Sequence, residues 1–136
     1  MTNDYLKEIP TMRFLTIYKA GETETKRNEA GVPPSQEEMA GMGKLIEEMM
    51  KAGALLSTEG CAPSSKGARV RLSGGKITVT DGPFTESKEL IAGFAIIEAK
   101  SKAEAIELTK RFLKVAGDGE SEIRQLHEMS DFGPAM

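Results

Sequence analysis

Two β-rich runs joined by a glycine pair constrain this chain more than any other feature. Ala68 to Ser73 and Lys76 to Thr80 flank Gly74-Gly75, and a two-residue glycine link supplies the positive φ angles that a tight hairpin turn needs. The link sets the register: Leu72 faces Ile77, Val70 faces Val79, Arg71 faces Thr78 and Arg69 faces Thr80. The apolar pairs share one face and the arginines share the other. The second strand runs directly into Asp81-Gly82-Pro83-Phe84. Asp81 has the parity of Ile77 and Val79, so its carboxylate starts toward the apolar side, where it must be paired, hydrogen-bonded or protonated.

Around this hairpin the pattern alternates between strands and helices. Met12 to Tyr18 (Met-Arg-Phe-Leu-Thr-Ile-Tyr) and Gly93 to Lys100 are apolar on both alternating faces, as expected of interior strands. Ala54 to Ser57 reads as a short strand and Glu122 to Glu128 as the last one. Lys19 to Pro34 is polar, contains Gly21, Gly31 and Pro33-Pro34, and reads as a long loop. Ser35 to Glu38 is a capping box that opens a helix carrying Met39, Met42, Leu45, Ile46, Met49 and Met50, with Gly53 as its stop. Methionines at this spacing more often pack a core than line an adaptable binding surface, so the stripe is assigned to the core. Ser101 to Glu104 is a second capping box. It opens a helix with Ala105, Leu108, Phe112 and Val115 on one side and Gly117 at its end.

The resulting order describes one α+β domain over residues 1–136, with residues 1–10 as an N-terminal extension and 130–136 as a tail. Its plan is a ferredoxin-like βαββαβ with an extra hairpin and its helices on one sheet face. The strands that are apolar on both sides leave the second face to be covered, which predicts a homodimer.

Composition narrows the function. With 136 residues, 29% charged residues, a net charge of -3 and no Trp, there is neither a basic stripe nor an aromatic platform for nucleic acid. No apolar run spans a bilayer and the start lacks a secretory pattern, which predicts a cytoplasmic protein without a membrane partner. One cysteine, Cys61, and one histidine, His127, cannot build a Cys/His-type zinc site, and neither a metal nor a cofactor is expected. Cys61 reads as an incidental thiol in a Gly/Pro/Ser-rich loop. His127, on the apolar parity of the last strand with Ile123 and Met129, reads as structural.

The string Lys76 to Glu89 with its Asp-Gly-Pro-Phe turn, followed by Gly93-Phe94, resembles the signature of the DGPF-domain family within the YCII-related proteins. Supporting pieces are the Met12 to Tyr18 strand, Arg71, the Ser101 to Leu113 helix and Glu122-Ile123-Arg124. The resemblance implies a dimeric α/β barrel, in which two ferredoxin-like sheets pack face to face and leave a cleft near each signature turn. It implies no established reaction. Members often accompany extracytoplasmic-function sigma factors, which implies a regulatory context. The YCII branch carries a His–Asp pair proposed as a catalytic dyad, yet the one histidine here, His127, stands in the last strand and does not match that position.

Candidate site residues follow. Asp81 reads either as a general acid or base with a raised pKa, or as the cap of its own Asx-type turn, in about equal measure. Lys88, Glu86 and Glu89 lie in a polar segment that is a solvated face or, with Lys88 folded toward Asp81, a site element that a ligand displaces. Arg71 could meet a carboxylate or phosphate, Arg124 less so, while Arg69 reads as solvent-exposed and Phe84 as an anchor for the turn. Tyr18 completes the set that would converge on one pocket. Three functions fit: binding of a small polar metabolite beside the turn by a sensor or accessory protein; cofactor-independent isomerase, lyase or dehydrochlorinase chemistry through Asp81; or a structural dimerisation module.

Overall fold

The computed structural model describes residues 10–86 and 90–133. Four strands, β1 (Met12–Ala20), β2 (Leu55–Gly60), β5 (Gly93–Ala99) and β6 (Gly119–Gln125), form one antiparallel sheet in the order β2-β5-β1-β6. Of the three helices, α1 (Glu22–Glu29), α2 (Gln36–Lys51) and α3 (Lys102–Ala116), the last two supply side chains to a core on the sheet, while α1 lines a cavity beside it. Leaving out the hairpin, this is the ferredoxin-like arrangement expected. The hairpin, β3 (Ala68–Ser73) with β4 (Lys76–Asp81), is a separate two-stranded sheet inserted between β2 and β5.

Strand parity explains the layering. Phe14 and Tyr18 of β1, and Ala95, Ile97 and Ala99 of β5, share the inner face, with Phe14 opposite Ile97 and Thr16 opposite Ala95. Phe14, Ile97 and Leu55 pack with Leu45 and Met49 of α2 and Ala105 of α3 as the core cluster. A register shift between Leu55 and Ser57 puts both Leu55 and Thr58 opposite inward residues of β5. Leu15 and Ile17 of β1, with Phe94 and Ile96 of β5, occupy the opposite parity on the outer face.

The helix caps follow the sequence closely. Ser35 accepts from the Glu38 amide while Glu38 accepts from the Ser35 amide, a complete capping box. At α3 the box is only half built: Ser101 accepts from the Glu104 amide, but the Glu104 carboxylate reaches the Lys100 amide instead.

Three expectations are corrected. The supposed loop from Lys19 to Pro34 contains α1, whose first turn is acidic and last turn basic. Glu22–Lys26 and Glu24–Arg27 ion pairs decorate its surface and only Thr25 is buried. With no apolar repeat, the helix gives no periodic signal. The last strand lies earlier than expected, at Gly119–Gln125, so His127 is beyond the sheet. Its side chain is exposed, 3.5 Å from the Asp131 carboxylate and against the Phe132 ring, rather than on an apolar strand face. The tail begins with a 3-10 turn, Met129–Phe132.

Candidate functional site

The hairpin register is the one the glycine pair dictates, with Val70 opposite Val79 and Leu72 opposite Ile77, and Gly74 and Gly75 at φ 56° and 80°. Yet among the described residues the apolar face stays uncovered: Val70, Leu72, Ile77 and Val79 are between 63% and 71% exposed. Asp81 therefore stands on the expected parity, opposite Ala68, but in solvent. Among the described residues its carboxylate makes no hydrogen bond or ion pair.

The Asx-type cap, one of the two readings of Asp81, is not formed among the described residues, and a neighbour takes its place. The Gly82 amide donates to the Gly67 carbonyl at 2.9 Å, and the Phe84 amide donates to Ser64 Oγ at 3.0 Å. Ser64 is itself held by Glu29 at the end of α1: its backbone amide donates to Glu29 Oε2 at 2.6 Å and its hydroxyl donates to Glu29 Oε1. Gly82 is required by contact, because a Cβ there would lie 1.7 Å from the Ser64 carbonyl oxygen. The Gly82-Pro83 peptide is cis. The Arg69 guanidinium covers the Phe84 ring at 3.9 Å from its centroid, so Arg69 is engaged with the turn rather than merely solvated, as the sequence had implied. The Asp-Gly-Pro-Phe turn is thus a brace that ties the hairpin, through Ser64, to α1.

The main concavity lies elsewhere, between the helices and the inner face of the sheet. It has a volume of about 520 Å³, inside the range of small-molecule sites. Its walls come from Met39, Met42, Ile46 and Met49 of α2, Leu108 and Phe112 of α3, Leu90 and Ile91 before β5, and Thr16 and Tyr18 of β1. The methionine stripe assigned to the core does enter it at Met49, but toward the start of α2 it opens into this space, with Met39 51% exposed. At the polar end stand Glu24, Arg27, Asn28 and Glu29 of α1, together with Glu38 and Ser64.

Tyr18 is fixed by three contacts. Its ring meets Phe112 edge-on at 5.1 Å, and its hydroxyl donates to the carbonyls of Gly117 and Asp118 at 3.1 and 3.0 Å. Burial, and then the negative charges of Glu24 and Asp118, push the phenol up from its ordinary pKa. Tyr18 stays neutral and presents an aromatic wall.

Of the sequence candidates described, Tyr18 alone lines the cavity. Arg71 is exposed at mid-β3 opposite Thr78, Glu86 is exposed beyond the turn, and Asp81 closes β4. Arg124 is exposed on β6 and paired with Glu122 at 3.3 Å. Cys61 is an exposed thiol. Lys88 and Glu89 lie outside the described residues, as does most of the expected N-terminal extension. The sequence reading missed Ser64 and Glu29, which nothing in local spacing connects, since their contact spans 35 residues.

A ferredoxin-like α+β domain with a braced hairpin and an apolar cavity under its helices is the class that fold and site define. The chain belongs to the YCII-related domain family, whose model matches residues 12–130. It is also similar to an uncharacterised protein of Rhizobium meliloti (strain 1021), with 32% identity over 72 residues. The match covers 53% of this chain and 58% of that protein, so this chain spans less than two thirds of its relative's length. Among the described residues no helix is long and apolar enough to cross a membrane.

Proposed function

We propose that the protein is a homodimeric small-molecule-binding domain, acting as a sensor or accessory protein, whose ligand occupies the cavity between the helices and the inner sheet face. The observation that carries this reading is the 520 Å³, largely apolar space whose lining also holds the linked charged groups Glu24, Arg27 and Glu38, the usual build of a ligand pocket. The site moves from beside the Asp-Gly-Pro-Phe turn to the space that the turn braces through Ser64 and Glu29. An acid–base role for Asp81 draws no support from this placement, because the residue does not line the cavity.

The dimer is proposed on two apolar surfaces. One is the outer sheet face, with half-buried Leu15, Ile17 and Ile96 and exposed Phe94; the other is the hairpin face with Val70, Leu72, Ile77 and Val79, an unusual amount of exposed apolar area for a monomer. A second copy would cover both, and a two-stranded hairpin needs such cover to be stable. Sizing by light scattering at micromolar concentration tests it: a monomer sinks the dimer.

The cavity is tested by a thermal-shift screen of apolar and amphipathic compounds on wild type and on Ala95→Phe, which places a ring into the cavity from β5. Compounds that raise the wild-type Tm should leave the Ala95→Phe Tm unchanged. Equal stabilisation of both proteins, or of neither by every compound, would defeat the reading.

A further inference from the structure

The charges around the cavity are strongly one-sided. Among the described residues its lining includes three acids, Glu24, Glu29 and Glu38, against the single guanidinium of Arg27, with no lysine or histidine; Glu59 also borders it but stands opposite Phe94, on the outer parity of the sheet. Arg27 is already shared: its Nη1 lies 3.1 Å from Glu24 and its Nη2 3.8 Å from Glu38. Two carboxylates on one guanidinium leave a negative charge uncompensated. Glu29 accepts from neutral donors, the amide and hydroxyl of Ser64, and has no cation paired with it among the described residues. The field reaches inward, since Glu24 contributes to the upward shift of the Tyr18 phenol after burial itself. Next to this end the walls are polarizable and aromatic: the thioethers of Met39 and Met42, and the Tyr18–Phe112 edge-on pair. Such walls suit an apolar or aromatic body, and a cation gains further from the ring faces.

We infer that the cavity takes an amine: a ligand with an apolar or aromatic body in the Met-lined interior and a positively charged nitrogen at the Glu24–Glu38 end. This rests on the cavity being a binding site, and it adds the charge of the ligand. A carboxylate of the same shape meets no free cation among the described lining residues and is repelled by the acids that a cation would neutralise.

Three isosteric probes separate the two claims: 4-phenylbutylamine, 4-phenylbutan-1-ol and 4-phenylbutyrate, titrated by calorimetry at pH 7 and low ionic strength. The alcohol reports on the cavity regardless of charge. The amine should bind about tenfold more tightly than the acid, with the alcohol between them, as partly exposed charge interactions of this kind allow. Added salt should narrow the spread. Glu24→Gln, which leaves Arg27 balanced by Glu38, should reduce the ratio of amine to alcohol affinity several-fold. If the alcohol binds but the acid equals or exceeds the amine, the amine inference is overturned and the cavity stands. If none of the three binds, the cavity reading falls and the inference with it.

Discussion

Phe14 and Leu72 are both apolar residues in the middle of strands, yet Phe14 is 2% exposed and Leu72 69%. The difference divides the molecule into a body and an arm. In the body, sheet parity and helix stripes converge, and burial of Phe14, Leu45, Leu55 and Ile97 supplies the stability. The arm has cross-strand pairs of equal quality, but their apolar side chains stay largely exposed among the described residues. It is attached by polar contacts at its base: Gly82 to Gly67, Phe84 to Ser64, and Ser64 to Glu29. Apolar patterning in a strand therefore shows that a face needs covering, without saying which chain covers it.

Substitutions placed along this division should rank in a definite order. Phe14→Ala removes the largest fully buried side chain of the body and should cost about 3–5 kcal/mol in denaturant unfolding; a loss below about 1 kcal/mol would mean that the body is not held by this core. Gly82→Ala forces a methyl onto the Ser64 carbonyl and should cost about 2–3 kcal/mol. Because that clash acts on the brace, amide exchange should accelerate first around Ser64 and Phe84 and only later in β1 and β5. Ser64→Ala deletes one hydroxyl that serves both Glu29 and the Phe84 amide, with an expected loss of about 1–2 kcal/mol and faster exchange at Phe84.

Ile77→Ser should change the stability of an isolated copy by less than about 0.5 kcal/mol, since the side chain is 65% exposed. Its effect should fall on the proposed dimer, whose dissociation is then expected at higher protein concentration than for wild type. A matched loss of monomer stability instead would show the arm packing on its own body.

The smallest effect concerns pH. Hydrogen bonds from Ser35, and then the charge of Arg27, hold the Glu38 carboxyl below the usual glutamate range. A depressed folded-state pKa means that its contribution is present above the ordinary glutamate pKa and is lost as pH falls through the lowered folded value. Amide exchange in the first turn of α2 should therefore rise on acidification in that window, and Glu38→Gln should flatten the response.

Much of this was legible in the chain. The Gly74-Gly75 link determined the hairpin register pair by pair, and Ser35 with Glu38 determined the start of α2. These signals are local, carried by residues within a few positions of each other. Helix α1 was not legible, because ion pairs and a single buried Thr25 leave no periodicity to read. The last strand was placed late for a related reason: Ile123 is the sole bulky apolar residue in Gly119–Gln125, so the alternation was carried past its end.

By itself the sequence determined the hairpin register, the start of α2 and the interior strands β1 and β5. Only the tertiary structure decided what the Asp-Gly-Pro-Phe turn does and where a ligand fits. Both depend on contacts between distant segments: Ser64 with Glu29 and Phe84 at the brace, and α1, α2 and α3 standing off the sheet around Tyr18. A cavity is space left by packing, and no residue type or spacing encodes it until the walls are in place.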